Sequence, residues 1–433
     1  LGDVYKRQIL VGIHELGHFL MARAFKIRVE KFYIFFDPWF SLFKFKRGDT
    51  EYGLGWLPLG GYVKIAGMID ESMDKEQMKQ PVKPDEFRAK PAWQRLLVMV
   101  AGVMMNVLLA IVIYCAVCYT WGDSYFSNQD AKWGYNFNPT AHEMGFRDGD
   151  RFVSIDGEEI DNVMRVQNDL LITDGGRRVI VERGGEPVTL DIPFESLLRM
   201  RQEKAYEDLF TLRLPFIVDS VSYTSAVEAG LESGDEVVAI DDLRDADYPR
   251  YRDYLQKHKN DKVLLTVRRD GALIDSLALP VDAEGRIGVT VTNPYSLRTQ
   301  YYTFWESIPA GIHKAGKTIS SYWDQLKLIV QPKTKMYEEL GGFVAIGSIF
   351  PSSWDWHDFW LKTAFLSIIL AVMNLLPIPG LDGGHALFTL WEIITRRKPS
   401  EKFLEVAQYV GLMIILALLV YANGNDIVRF FFK

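Results

Sequence analysis

The amino-acid sequence predicts a polytopic α-helical membrane protein with about four transmembrane helices, a membrane-associated β-hairpin region and two inserted α/β domains. Three observations in the 433 residues predict this class. The apolar residues are concentrated in four stretches, a glycine-rich segment follows the first stretch, and the long polar segment between the second and third contains an internal repeat. The net charge of −7 excludes a general nucleic-acid binder, because such proteins usually carry a basic stripe.

Four apolar stretches predict the helices, since a bilayer core about 30 Å thick needs about 20 apolar residues of helix to cross it. Leu96–Thr120 carries no charge and is the strongest candidate, followed by Phe359–Leu376 and Phe403–Ala422. The first stretch, Gln8–Phe25, is short, and taken alone it fits a buried core helix equally well. Because the chain begins with Leu1 and a polar segment, we expect this first span to have lost residues.

Lysine and arginine residues near the predicted helix ends indicate the orientation of the chain. They cluster at 26–31, at 90–95 and at 396–402, and we expect these segments on the cytoplasmic side. Residues 122–299 carry 21 basic and 33 acidic side chains, which is compatible with export. The long segment is therefore predicted to lie on the opposite side of the membrane.

The predicted exported segment contains a repeat with an offset of 85 residues, in which Ala141–Gly157 matches Ala226–Asp242. Each copy indicates a short helix, a Gly-Asp turn and an alternating strand. Two further alternating runs follow each copy around the turn residues Gly184-Gly185 and Asp270-Gly271, which predicts hairpins. The pattern resembles PDZ domains, so we predict two PDZ-like α/β domains. Such domains bind extended peptides at a sheet edge; two β-rich spacers without a ligand are the alternative.

The first apolar stretch contains the metal-binding pattern H-E-x-x-H at His14, Glu15 and His18. Residues four apart share one face of a helix, so both imidazoles can bind one Zn²⁺ while Glu15 takes a proton from water. The alternative is that each histidine is a hydrogen-bonded core residue. That alternative is weakened because ionisable groups at membrane depth are costly and usually functional.

A zinc hydrolase needs a third protein ligand and keeps one position open. The best candidate is Asp382, in the stretch that runs from Asn374 through two prolines to His385. Irregular backbone at membrane depth is tolerated where it lines a wet cavity, and a carboxylate there would complete the site. The alternative for Asp382 is a helix N-cap after a proline turn. His385 is left outside the predicted ligand set.

The order of these motifs resembles the site-2 protease family of intramembrane zinc metalloproteases. The likeness is greatest to its bacterial RseP-type branch, the regulator of sigma-E proteases. It rests on HELGH in a first span, on N-x-x-P-x-P-x-L-D-G from Asn374 in a late span, and on tandem PDZ-like domains between them. It covers essentially the whole chain and extends to Leu57–Lys64 and to the stretch Gly102-x-x-x-Asn106.

The resemblance implies roles for residues around the metal. His14, His18 and Asp382 are then the zinc ligands and Glu15 is the catalytic base. Asn374 is expected either to hold the substrate strand or to stabilise the reacting carbonyl.

The resemblance also assigns the glycine-rich segment. In the family it forms β-structure beside the active site, so Gly60, Gly61 and Tyr62 are predicted to bind the substrate through an edge strand. A plain cytoplasmic hairpin is the alternative.

The resemblance further implies intramembrane proteolysis of single-span membrane proteins, such as anti-sigma factors or signal peptide remnants. The expected location is the lipid bilayer of the bacterial inner membrane, with the PDZ-like domains on the periplasmic side, where they would refuse substrates with bulky exported domains. A membrane-anchored PDZ scaffold with a degenerate metal site is a rival, disfavoured because Glu15 is intact. A zinc-containing transporter is disfavoured because no inverted repeat is visible.

These predictions divide the chain into successive segments, of which 296–358 is expected to hold either an interfacial amphipathic helix or a plain linker helix. The segments are 1–25 (first transmembrane helix), 26–93 (β-loop region), 94–121 (second transmembrane helix), 122–213 and 214–295 (PDZ-like domains), 296–358 (amphipathic helix and linker), 359–378 (third transmembrane helix), 379–403 (L-D-G motif and cytoplasmic link), 404–423 (fourth transmembrane helix) and 424–433 (C-terminal tail).

Overall fold

A computed structural model of the chain describes residues 2–68, 81–206, 208–244, 247–348 and 354–431. The chain divides into two units. The first comprises Leu1–Asp123 and Tyr301–Lys433, and the second comprises Ser124–Gln300. Along the sequence, the second unit is inserted between the two halves of the first.

Helices and strands are numbered in chain order. The α-helices are α1 (Gly2–Ala24), α2 (Ala92–Trp121), α3 (Pro139–Glu143), α4 (Val166–Leu171), α5 (Phe194–Gln202), α6 (Thr224–Glu228), α7 (Tyr248–Lys257), α8 (Phe304–Val330), α9 (Phe343–Ser348), α10 (Trp356–Leu375), α11 (Asp382–Thr395) and α12 (Glu401–Phe431). The strands are β1 (Val29–Arg47), β2 (Thr50–Ile65), β3 (Asp123–Tyr125), β4 (Tyr135–Phe137), β5 (Arg151–Ile155), β6 (Glu158–Glu159), β7 (Arg177–Arg183), β8 (Glu186–Ile192), β9 (Phe210–Leu212), β10 (Phe216–Val221), β11 (Glu236–Ile240), β12 (Leu243–Arg244), β13 (Lys262–Arg269), β14 (Ala272–Pro280), β15 (Val289–Val291) and β16 (Arg298–Gln300).

Within the described residues, three helices are long and apolar enough to cross a membrane: Ala92–Trp121, Trp356–Leu375 and Lys402–Val428. They coincide with the second, third and fourth predicted spans. The first predicted span forms α1, a helix of 23 residues, but its polar residues lower its hydropathy and leave it outside this set. The predicted total of about four spans is therefore not confirmed by length and hydropathy.

Helix α2 is the centre of the first unit, where it packs against α1, α8, α10 and α11. Small and aliphatic side chains allow these helices to approach closely. One buried cluster consists of Ala110, Ile113, Tyr114 and Val117 of α2 with Ala315, Ala364, Ile368 and Val372. A second cluster joins α1, α2 and the hairpin through Ala22, Ile27, Val29, Ile65, Val98 and Met99.

Helices α8 and α11 also lie outside the set of three that are long and apolar enough to cross a membrane. Helix α8 falls in the segment 296–358, for which the sequence predicts a helix; it begins with a capping box formed by Thr303 and Glu306 and packs against α2 and α10. For residues 379–403 the sequence predicts only a motif and a link, whereas the structure forms helix α11. The apolar run of α11 is too short to cross a bilayer, so a search for transmembrane spans passes over it.

Strands β1 and β2 form the predicted hairpin, which pairs Val29 with Ile65 at its base and Arg47 with Thr50 at its tip. Between these ends, residues 31–34 of β1 pair with residues 61–64 of β2 on one side and with residues 51–54 on the other. The distal half exposes large apolar side chains, namely Trp39, Phe40, Leu42, Phe43 and Phe45. Exposed aromatic side chains of this kind are typical of a surface that contacts a membrane.

Each repeat of the second unit folds around its own sheet and its own hydrophobic core. The first sheet has the strand order β6-β5-β7-β8, and the second has β14-β13-β11-β10-β15 with β12 beside β11. Both predicted hairpins are observed, as the antiparallel pairs β7–β8 and β13–β14. The α/β character of the repeats is therefore confirmed, while their likeness to PDZ domains stays a prediction.

The Gly-Asp turns of the two repeats are held by equivalent aspartate–arginine ion pairs. Asp150 is 1% exposed and accepts two hydrogen bonds of 2.7 Å from Arg183, and Asp235 is 0% exposed and accepts bonds of 2.6 and 2.7 Å from Arg269. Burial would raise the pKa of Asp235, but the bonds from Arg269 and from the Glu232 amide outweigh burial and hold that pKa below its usual value. A bidentate arginine therefore fixes each turn.

Candidate metal centre

The two histidines of the H-E-x-x-H pattern lie one turn apart on the buried face of α1. His14 is 6% exposed and His18 is 7% exposed. Their Nε2 atoms are 3.2 Å apart. The helical spacing of four residues therefore does what the sequence predicts and aims both imidazoles at one point.

Asp382 reaches the same point from the start of α11. It is the first residue of that helix, whose N-cap position is Leu381, so the alternative that Asp382 serves as the N-cap is wrong. Gly383 and Gly384 allow this close approach, because a Cβ at Gly383 would lie 2.3 Å from the carbonyl oxygen of Leu375 and one at Gly384 would lie 2.5 Å from that of Ile378. The two glycines let α11 begin directly against the proline-containing turn.

The three donor atoms form a nearly equilateral triangle. Asp382 Oδ2 lies 3.0 Å from His14 Nε2 and 3.2 Å from His18 Nε2, and the two Nε2 atoms are also 3.2 Å apart. Ligands about 2.0–2.1 Å from a tetrahedral Zn²⁺ are about 3.3 Å from one another. The triangle therefore has the size of one face of a zinc tetrahedron.

The hydrogen-bond pattern also fits a cation. His18 Nδ1 lies 2.8 Å from the carbonyl oxygen of Val98, to which it must donate, so a neutral His18 presents a lone pair at Nε2. Asp382 Oδ2 is buried and receives no hydrogen bond of normal geometry from the described residues. Acceptor atoms facing one another at this distance repel unless a cation lies between them. Within the described part of the chain, His14, His18 and Asp382 are the group that could hold a metal ion.

Helix α2 forms the back wall of the triangle. A Cβ at Gly102 would lie 2.4 Å from His18 Nε2 and 2.7 Å from His14 Cε1. Since contacts below about 3 Å are not tolerated between carbon and nitrogen atoms, only glycine fits at this position.

A cavity of about 240 Å³ opens beside the triangle. Glu15, the residue between the histidines in the motif, lines this cavity together with all three donor residues. The Asn374 amide nitrogen lies 3.4 Å from His14 Nε2. The remaining lining is apolar and consists of Val11, Val63, Ile65, Met68, Leu370 and Leu381, with Gly380. The cavity therefore combines a polar centre with walls suited to an apolar chain segment.

Gly60, Gly61 and Tyr62 do not line this cavity. Gly61 lies against β1, where a Cβ would be 2.8 Å from the Tyr33 carbonyl oxygen. The Tyr62 ring stacks on Tyr33 and Phe36, and its hydroxyl donates to Asp37 Oδ1 at 2.9 Å. Burial and the Asp37 carboxylate hold the pKa of Tyr62 well above its usual value. Substrate binding by these residues stays a prediction.

Sequence reasoning included Gly102 and Asn106 in the family resemblance but gave neither a role, although both shape the centre. Asn106 is fully buried beside His14, and Gly102 lies behind both histidines. The signal for Asn106 was available, because it is a polar residue within an uncharged apolar stretch. Val63 and Ile65 carried no such signal, because the way the hairpin folds and pairs decides which residues of β2 face the cavity.

Comparison with known proteins gives the family of this architecture. The model of peptidase family M50 matches residues 8–418, so the chain belongs to that family, the site-2 proteases. A protein of Clostridium perfringens named as a zinc metalloprotease is 29% identical over 97% of this chain and 95% of its own length. A protein of Neisseria meningitidis named in the same way is 26% identical over 99% of this chain and 98% of its own length.

A further relative, the regulator of sigma E protease of Haemophilus influenzae, is 27% identical, with 97% of this chain and 96% of that protein covered. The family predicted from the motifs is thus confirmed. The chain is a membrane-associated zinc metalloprotease, which disfavours the scaffold and transporter alternatives.

Proposed function

We propose that this protein hydrolyses peptide bonds within transmembrane segments of other membrane proteins, with His14, His18 and Asp382 as its zinc ligands. The observation that carries the proposal is the triangle of donor atoms, with sides of 3.0, 3.2 and 3.2 Å, within a helical unit that contains three membrane-length helices. When bound, zinc supplies activation of water and polarisation of the scissile carbonyl.

Glu15 acts as the proton carrier of the reaction. It lines the cavity beside the ligands, where a carboxylate can take a proton from the attacking water and then pass it to the leaving amine. Asn374 lies at the same place and can donate its amide hydrogens to a carbonyl oxygen of the substrate. Of the two roles that the sequence left open for Asn374, this position supports stabilisation of the reacting carbonyl.

The substrate must be extended where it is cut, because a helix hides its backbone in its own hydrogen bonds. Strand β2 supports such binding, since Val63 and Ile65 line the cavity and the sheet β1–β2 has two strands among the described residues. Residues 61–65 of β2 pair with β1 along one edge within the described part of the chain, and a substrate strand can pair with their other edge. Gly60, Gly61 and Tyr62 precede these lining residues on β2 and would flank the bound strand.

The relatives and the charge pattern support a physiological setting for this activity. We place the protein in the bacterial inner membrane with the second unit on the periplasmic side, because positive residues flank the opposite helix ends. The substrates would be single-span membrane proteins, such as anti-sigma factors or signal peptide remnants. The two repeats, as PDZ-like domains, would exclude substrates that still carry a large exported domain.

The test compares wild type, Glu15→Gln and Asp382→Ala on a single-span substrate in liposomes, with zinc measured in each. Wild type should cut, Glu15→Gln should hold zinc without cutting, and Asp382→Ala should lose both zinc and cleavage. Glu186→Gln, an identical exchange at an exposed position of β8, is the control and should cut normally. A wild-type protein that holds zinc but cuts no membrane segment, even one without an exported domain, would contradict the proposal.

A further inference from the structure

His14 lies between two amide side chains in an arrangement that a neutral imidazole cannot satisfy. Asn106 Nδ2 is 3.3 Å from His14 Nδ1, and Asn374 Nδ2 is 3.4 Å from His14 Nε2. A neutral imidazole carries one lone pair on its ring nitrogens, so it accepts a hydrogen bond at only one of them. One of these two nitrogens must therefore carry a hydrogen and face an acceptor.

The donor triangle decides which nitrogen carries the hydrogen. His14 Nε2 is the atom that faces His18 and Asp382, so its lone pair is directed to the metal and the hydrogen is on Nδ1. The oxygen and nitrogen of an asparagine amide exchange places by a rotation of 180° and have nearly the same shape. Asn106 Oδ1 is buried and has no hydrogen-bond partner within the described residues. The rotated amide brings this oxygen to His14.

We propose that Asn106 is a positioning residue for the metal centre: its Oδ1 accepts the hydrogen of His14 Nδ1 and thereby fixes the orientation and tautomer of the ligand. This inference rests on the proposed function, because it requires His14 to bind the metal through Nε2. Asn106 does not itself touch the metal or the substrate.

The surroundings fix the backbone from which the amide projects. Asn106 is fully buried, and its main-chain carbonyl oxygen accepts a hydrogen bond of 2.8 Å from the Ser367 hydroxyl of helix α10. The carbonyl oxygen of Val98 accepts in the same way from His18 Nδ1. Val98, Gly102 and Asn106 are spaced by four residues, so one face of α2 supplies an acceptor for each histidine and, between the two acceptors, the gap that both rings need.

A purely structural role gives a different expectation. Buried asparagines also join membrane helices through hydrogen bonds, and in that role the amide N–H groups would matter as much as the oxygen. Asn106→Asp separates the two, because a carboxylate keeps the acceptor and removes both donors. Leucine is similar in size to asparagine, and Asn106→Leu removes the acceptor as well as the donors.

The experiment uses the full chain in detergent and measures the dissociation constant of zinc by competition with a chelator. Loss of a partner of this kind lowers metal affinity by about 10–100-fold, and this is the expected result for Asn106→Leu. Asn106→Asp should bind zinc within about threefold of wild type, since a carboxylate serves as such a partner. Thr363→Val is the matched control, because Thr363 is fully buried in α10 and its hydroxyl donates to Phe359 of its own helix.

Two further measurements separate loss of positioning from loss of folding. Cobalt substituted for zinc should show a ligand-field spectrum in Asn106→Asp like that of wild type, and excess zinc should restore cleavage by Asn106→Leu, which a folding defect would prevent. Wild-type zinc affinity in Asn106→Leu, or an equal loss in Asn106→Asp and Asn106→Leu, would overturn the inference while leaving the proposed function intact. A wild-type protein that holds no zinc would overturn both. If Asn106→Leu does not fold, Asn106→Asp decides alone, by its zinc affinity and spectrum.

Discussion

Gly102→Ala is the substitution whose effect follows most directly from the geometry of the centre. The added Cβ would lie 2.4 Å from His18 Nε2, 2.7 Å from His14 Cε1 and 2.9 Å from His14 Nδ1. Non-bonded heavy atoms keep a separation of about 3.5–4.0 Å, so the rings must retreat by about 1 Å. His18 cannot retreat freely, because its Nδ1 is held 2.8 Å from the carbonyl oxygen of Val98. Val98 lies on α2, one turn before Gly102.

The expected loss follows from this displacement. Working sites are held within about 0.5 Å of their productive geometry, and a misplacement of 1 Å costs about 100-fold in rate. We expect Gly102→Ala to lower cleavage by about that factor and zinc affinity by about tenfold or more. The assay is chelator competition for zinc together with cleavage of a single-span substrate in detergent.

Gly12→Ala is the matched control for this prediction. Gly12 is on α1, the helix that carries both histidines, and a Cβ there meets no atom within 4 Å. Exchange of glycine for alanine inside a helix is stabilising by about 0.5–1 kcal/mol, so this variant should keep zinc and activity. Wild-type zinc affinity and cleavage in Gly102→Ala would refute the reasoning. An equal loss in both variants would show that the helix, and not the collision, is responsible.

Three other perturbations test the fold and the cavity. Asp235→Asn should destabilise the second unit by about 2 kcal/mol at pH 7. The pKa of Asp235 is depressed in the folded state, so the stabilisation it gives is present above its unfolded pKa of about 3.9 and is lost as pH falls through the folded value. Calorimetry should therefore show the unfolding temperatures of wild type and variant converging at acid pH. Asp191→Asn, at a surface ion pair with a 70% exposed carboxylate, should change nothing, and equal effects of the two would contradict this account. Glu392→Ala removes the partner 2.5 Å from the buried Arg95 and should lower the stability of the first unit by about 3 kcal/mol, seen as a lower unfolding midpoint in detergent; an unchanged midpoint would speak against the pair. Val63→Trp should fill the cavity beside the ligands, abolishing cleavage while zinc content stays at the wild-type level, and normal cleavage would show that substrate does not enter there.

Sequence reasoning succeeded where a local spacing sets the structure. The separation of four residues between His14 and His18 places both rings on one helical face, and the turn residues Gly184-Gly185 and Asp270-Gly271 lie between the paired strands of the observed hairpins. Asp382 is far from both histidines in the sequence, but a carboxylate after an interrupted apolar span has few explanations other than a ligand. These are features in which residue type and short-range order carry the information.

Other parts of the centre depend on which faces meet after folding. Residues 31–34 of β1 pair with residues 61–64 of β2 on one side and with residues 51–54 on the other. This double pairing decides how β2 lies against the cavity, and it arises only in the folded sheet. For this reason the glycine-rich motif pointed to Gly60, Gly61 and Tyr62, while the structure lines the cavity with Val63 and Ile65. Helix α11 escaped prediction for a related reason, because its short apolar run gains its packing partners only in the folded unit.

The centre is also shaped by positions that contribute no donor atom, and motif reasoning gives such positions little weight. Two close approaches are needed for the donor triangle to form: α2 approaches the histidine rings at Gly102, and α11 approaches the preceding turn at Gly383 and Gly384. A side chain at any of these positions would move a ligand further than a zinc tetrahedron tolerates. If this reasoning is right, enlarging Gly102 should cost the site as much as removing a partner such as Asn106, although neither residue touches the metal. The pattern to seek around a helical H-E-x-x-H pair is therefore a neighbouring helix with a glycine and, four residues later, an acceptor side chain; the other acceptor is a main-chain carbonyl and leaves no mark in the sequence.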